Sequence, residues 1–217
     1  MLLAIYFAAG ALAAECKPSA SGGTNINDCA VGKCELVGAI EVCTECKQGK
    51  VPIDGVCKAP ADATDKCQKA EGTAVDNQDT TCGKCLNAYF MYKGGCYSKD
   101  TAPGKTMCAQ ANAGICSQAV ATKEYFVPPG ADNAHQSVIS CADETPVVLA
   151  SNKQYKGVAN CLKCTKPADG EANTPKAATC DECVPGFLVA SSGASCSACA
   201  ANCLTCTDGT ATNCKSC

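Results

Sequence analysis

The chain has 217 residues, 23 of them Cys, against only 4 Phe, 6 Tyr and no Trp. That composition excludes an ordinary core of interlocked large apolar side chains and calls for a scaffold held by cross-links. All 18 basic residues are Lys, and with 21 acids they leave a net charge of −3; a basic face for nucleic acid is excluded, and so is the planar guanidinium fork suited to bidentate carboxylate or phosphate recognition.

In chain order, residues 2–12 form a short apolar run, and Ala11, Leu12 and Ala13 place small residues where a signal peptidase needs them. This predicts a secretory signal peptide over 1–14, although a positively charged leader segment is lacking. The bland alternative is a buried N-terminal helix. The first Cys is Cys16, so every cysteine would enter an oxidising compartment where thiols pair. No later run is apolar and long enough to span a membrane.

Three segments then share one pattern: CTECKQGKVPIDGVC from Cys43, CGKCLNAYFMYKGGC from Cys82 and CDECVPGFLVASSGASC from Cys180. Each has a Cys-x-x-Cys pair, a short apolar stretch, a Gly-bearing turn and a closing Cys, which reads as a β-hairpin with glycine supplying the positive φ of the turn. A lone two-stranded ribbon is marginal in water. A disulfide at its base changes that, since closing such a loop contributes about 3 kcal/mol in the chain-entropy view. Residues 106–113 and 117–126 are each expected to hold a short helix. The Cys-sparse stretch that follows offers three apolar patches, around Tyr125, Val138 and Val147, as strands of a larger module.

The fold class expected is small and disulfide-rich: an extended tandem array of short β-hairpin modules of EGF-like or furin-like type, with little helix. The expected divisions are a module over 15–66, a hairpin module over 67–107, a Cys-sparse module over 108–160 and dense repeats over 161–217.

Seven Cys-x-x-Cys pairs occur in all, and three chemistries use that spacing. Redox catalysis wants one pair at a helix N-terminus in a βαβ context, and no such pattern is present. Structural zinc wants two converging pairs; Cys161, Cys164, Cys180 and Cys183 form one candidate quartet, and Cys196, Cys199, Cys203 and Cys206 another. In the third reading, preferred here, each cysteine of a pair bonds a different partner, because residues three apart bridge each other only in a strained ring. The pairings expected are Cys46 with Cys57, Cys85 with Cys96 and Cys183 with Cys196. The odd cysteine count leaves one without a partner, which a longer chain would supply, or a free or intermolecular thiol would explain.

No catalytic residues are assigned and no cofactor is expected beyond that zinc alternative. His135, the single His, sits in a polar loop and reads as a surface residue. Asp143-Glu144 and Asp181-Glu182 read as solvated loop charge.

Repeated Cys-x-x-Cys pairs, Lys/Thr/Ala/Gly-rich spacers, a short leader and the tetrapeptide Gly94-Gly95-Cys96-Tyr97 together resemble the variant-specific surface proteins of Giardia. The resemblance covers essentially the whole chain. It implies a non-enzymatic coat antigen on the cell surface, antigenic variation and immune evasion, with host antibodies and neighbouring coat molecules as partners. Zinc binding has also been attributed to such proteins. Members typically end in a transmembrane helix and a short cytoplasmic tail, neither of which is in this sequence; the expectation is an N-terminal piece or a secreted relative, with any membrane contact through a C-terminal anchor. The rival readings are an EGF-like or tenascin-like adhesive or ligand-binding module, with residues 125–129 as its patch, and a thiol–disulfide exchange enzyme.

Overall fold

The computed structural model describes residues 28–217, so the expected leader and Cys16 lie outside the described residues. Among those residues the secondary structure is short strands and single 3-10 turns, with no α-helix. No described helix is long and apolar enough to cross a membrane.

The three expected hairpins form. Val51–Ile53 pairs with Val56–Lys58 through a turn in which Asp54 and Gly55 take φ of 52° and 76°. Tyr89–Tyr92 pairs with Gly95–Ser98 through Lys93 and Gly94, at φ 42° and 77°. Two successive left-handed residues match the twist of the flanking strands, which is why Asp-Gly and Lys-Gly stand there. Phe187–Ala190 pairs with Ser195–Ala198 across a longer loop closed by Gly193 at φ 90°. The first two hairpins share one four-stranded sheet in which Ile53 lies beside Cys96 in parallel register.

Residues 106–126 differ from expectation. The two helices proposed for 106–113 and 117–126 are replaced by a hairpin of Cys108–Asn112 and Ile115–Ala119, followed by the separate strand Tyr125–Phe126. Two facts override the local propensity. Cys108 and Cys116 are bonded across the hairpin, and Ala113-Gly114 turns with both residues at positive φ. Gly114 lies so close to the chain at Cys85 that a Cβ would sit 1.9 Å from its carbonyl oxygen. The three apolar patches of the next stretch do supply strands: Tyr125–Phe126 pairs with Ile139–Ser140, and Val147–Val148 with Gln154–Lys156.

Buried side chains gather into four clusters. One consists of cysteines alone: Cys29, Cys34, Cys43, Cys46 and Cys57. A second packs Val51, Ile53, Val75 and Met91 among Cys67, Cys82, Cys85 and Cys96. A third is aromatic, with Phe90, Tyr92, Tyr97, Met107 and Val138 joined by Val37 and Val42. A fourth sets Phe126, Ile139, Leu149, Tyr155 and Val158 against Cys141, Cys161, Cys164 and Cys180. Sulfur therefore supplies much of the buried apolar surface that this composition otherwise lacks.

Candidate functional site

One arrangement of cysteines is built three times. An upstream Cys bonds the first Cys of a Cys-x-x-Cys pair, and the second Cys of that pair bonds the residue that closes the following hairpin. The bonds are Cys29–Cys43 with Cys46–Cys57, Cys67–Cys82 with Cys85–Cys96, and Cys161–Cys180 with Cys183–Cys196. The three pairings named from spacing, Cys46 with Cys57, Cys85 with Cys96 and Cys183 with Cys196, are thus joined in the structure. The bonds to upstream cysteines were not foreseen. No described Cys-x-x-Cys pair is bridged internally.

The hairpin turn docks on its own pair. The Cys43 N–H donates to the Gly55 carbonyl at 2.9 Å, and the Cys82 N–H to the Gly94 carbonyl at 2.8 Å, in each case two residues before the closing Cys. In the third unit Gly193 lies against Cys180, where a Cβ would come within 2.8 Å of its carbonyl oxygen. The two disulfides of a unit consequently touch. Sγ of Cys43 is 3.5 Å from that of Cys57, and Sγ of Cys180 is 3.5 Å from that of Cys196. The sulfurs of Cys67, Cys82 and Cys96 lie within 4.8 Å of one another.

The tetrapeptide at 94–97 has a separate reason for each residue. A Cβ on Gly94, in its left-handed conformation, would meet the Thr44 carbonyl at 2.9 Å, and one on Gly95 would meet Pro52 at 3.0 Å. Cys96 closes the staple to Cys85. Tyr97 is fully buried and stacks edge-on with Tyr92 at 5.8 Å between ring centroids. Burial pushes the Tyr97 and Tyr92 hydroxyls far above their ordinary pKa, so both stay neutral across the physiological range.

The zinc quartets are corrected by the same bonds. Cys161, Cys180, Cys183 and Cys196 are spent within the third unit, Cys164 bonds Cys141, Cys199 bonds Cys206, and Cys203 bonds Cys214. A disulfide sulfur has no thiolate to offer a metal, so neither quartet is a site in this oxidation state. Cys34 is also disulfide-bonded, and Cys217 is the free cysteine among the described residues.

Charged residues tie segments together. Lys93 Nζ, in the second hairpin turn, lies 2.6 Å from Glu35 Oε2 and 2.9 Å from Asp143 Oδ2, joining three distant stretches. Burial opposes its charge, but the two carboxylates outweigh that and hold its pKa above the ordinary value. Asp143 is therefore not the solvated loop charge expected, since its side chain is 13% exposed. Asp181 accepts from Thr165, and Glu182 pairs with Lys163 at 2.6 Å across strands. His135 Nδ1 sits 2.8 Å from Asp132 Oδ1 in its polar loop. The patch suggested for adhesion at 125–129 is turned inward: Phe126 and Pro128 are buried, and Tyr125 and Val127 pack against the aromatic cluster. Val31 and Leu36, at 87% and 72% exposed, are the most exposed large apolar side chains among the described residues.

Stapled hairpins with abutting disulfides and no described α-helix define a disulfide-scaffolded β protein of the kind that persists in oxidising surroundings. The chain belongs to the Giardia variant-specific surface protein family, which matches it over residues 10–195. It is 38% identical, along its whole length, to 30% of variant-specific surface protein VSP4A1 of Giardia intestinalis. Over 70% of its length it is 36% identical to 22% of major surface-labeled trophozoite antigen 417 of the same organism. The chain thus spans less than a third of the length of these curated relatives. No solved structure matches it.

Proposed function

We propose that this chain forms part of a cysteine-rich coat antigen carried through the secretory pathway to the outer face of the plasma membrane, without catalytic activity. Its role in that reading is antigenic variation and immune evasion, with host antibodies and neighbouring coat molecules as partners. One observation carries it: the chain matches the variant-specific surface protein family over residues 10–195, and the relatives it resembles bear the names of surface proteins. Cross-links at the hairpin bases hold locally opened chain out of a protease cleft. Spacer residues carry little packing duty and are free to vary without unfolding a unit. The variable epitopes are accordingly placed in exposed spacers, such as 121–124 and 144–146 within the Cys-sparse stretch and 171–176 between Cys164 and Cys180.

Antibody against residues 117–160 applied to intact, unpermeabilised trophozoites tests this. Surface labelling is the expected result, and labelling only after permeabilisation contradicts the coat reading. Escape substitutions are expected in the spacers rather than at the hairpin bases.

A further inference from the structure

Each of the three units brings its four cysteines together in a way that a second pairing also fits. In the antiparallel ladder the upstream Cys stands directly opposite the second Cys of the pair, although it is bonded to the first: Cys29 faces Cys46, Cys67 faces Cys85 and Cys161 faces Cys183. Directly opposed residues of an antiparallel pair have Cα atoms about 4.5–5.5 Å apart, inside the window of roughly 4.4–6.8 Å that a disulfide spans. The remaining two cysteines are those already in sulfur contact, Cys43 with Cys57 and Cys180 with Cys196 at 3.5 Å each, and Cys82 with Cys96 within 4.8 Å.

We propose that each unit is a two-register disulfide switch, isomerising under thiol catalysis from the observed pairing to one in which the upstream Cys bonds the second Cys and the first bonds the closing Cys. In the first unit the products are Cys29–Cys46 and Cys43–Cys57. A small thiolate attacks the Cys29 sulfur, forming a mixed disulfide there and releasing Cys43 as thiolate. Cys43 attacks the Cys57 sulfur; the Cys46–Cys57 bond breaks and Cys46 leaves as thiolate. Cys46 then attacks the mixed disulfide at Cys29, forming Cys29–Cys46 and returning the small thiolate. Two bonds break and two form within the protein, nothing is oxidised or reduced overall, and the thiol is a catalyst. The backbone hairpin is stapled in both registers, so a bond opened by an environmental thiol is resealed inside its own unit. The switch rests on sulfur geometry and not on the coat reading, and its failure leaves that reading untouched.

The purified protein is incubated with reduced glutathione near pH 8, acid-quenched, alkylated and mapped without reduction. Cleavage after Glu45, Lys84 and Glu182 separates the two cysteines of each pair, so both registers are distinguishable. The expected result is Cys29–Cys46 with Cys43–Cys57, and their counterparts in the other two units, at unchanged intact mass. The contact geometry raises the effective concentration within a unit, so these shifted pairs should outnumber pairs between units by about tenfold or more. Native pairs alone after this treatment, or new pairs spread indiscriminately between units, overturn the proposal. Cys29→Ser and Cys161→Ser test it without added thiol, by freeing Cys43 or Cys180. Partition of the remaining bond between Cys46–Cys57 and Cys43–Cys57, or between Cys183–Cys196 and Cys180–Cys196, supports the switch, and exclusive retention of the original bond contradicts it. Having two variants in different units covers the failure of either to fold.

Discussion

The unit around Cys43 and the segment around Tyr155 are stabilised by different means. In the first, the buried cluster is five cysteines and nothing else. In the second, Phe126, Ile139, Leu149, Tyr155 and Val158 pack on one another as well as on sulfur, and Tyr155 is further anchored by Asp169 at 2.8 Å and by the Gly170 N–H at 3.1 Å. Within that cluster of five cysteines the chain needs no large side chain inside. Around Tyr155, aromatic and branched residues share the interior with Cys141, Cys161, Cys164 and Cys180. None of the described aromatics lies in the unit around Cys43, whereas Tyr89, Phe90, Tyr92 and Tyr97 all lie in the second stapled hairpin.

That contrast is breakable from either side. Tyr155→Ala removes a fully buried ring and two hydrogen bonds, and an expected loss of about 3–5 kcal/mol should appear as faster hydrogen exchange across 125–156 with exchange at 29–57 unchanged. Replacing Cys46 and Cys57 together by Ser should cost about 2–5 kcal/mol and act on the other region, exposing Lys47 and Lys50 to a lysine-specific protease while 125–156 keeps its protection. A variant of either kind that melted both regions equally would erase the distinction.

Smaller effects sharpen it. Lys93→Met leaves Glu35 and Asp143 without their shared cation, with an expected loss of about 1–2 kcal/mol in denaturant titrations. Because the folded Lys93 pKa lies above the ordinary 10.5, its contribution is fully present below that pH and lost as pH rises through the folded value. Wild-type and variant stabilities should therefore converge in strong alkali. Asp54 has the opposite consequence for neutral solution. Burial raises its pKa above the ordinary 3.8, against the Ser98 N–H that its carboxylate accepts. The stability linked to its proton is present below pH 3.8 and lost as pH rises through the folded value. Asp54→Asn keeps an acceptor and tolerates the left-handed turn, so it should raise neutral-pH stability by about 0.5 kcal/mol or less and flatten the acid limb of the stability profile.

The hairpins were legible because Asp54-Gly55 and Lys93-Gly94 state their turn type locally, and the spacing to Cys57 and Cys96 states where each ribbon is closed. Residues 106–126 misled because Ala, Gln and Met read as helix formers, while the deciding constraints, the Cys108–Cys116 bond and the packing of Gly114 on Cys85, join positions that no local window relates. The aromatic cluster was invisible for the same reason, since Val37, Tyr97 and Val138 meet only once the chain is folded. Cys-x-x-Cys spacing suits a thiolate pair on zinc and a pair of outward staples equally well, so the quartets at 161–206 could be resolved only by seeing which sulfur touches which. The direct facing of Cys29 and Cys46 is a matter of strand register, and spacing carries no trace of it.

The central claim, that sulfur–sulfur bonds and not metal or an apolar core hold the cysteine-dense units, is tested most directly by alkylating the unreduced protein in denaturant and weighing it intact alongside metal quantitation. The account predicts that no cysteine from Cys29 to Cys214 takes up label before reduction, that all of them do afterwards, and that zinc is absent in stoichiometric amount. Several of these cysteines labelled in the unreduced protein, with zinc released as they react, would contradict it.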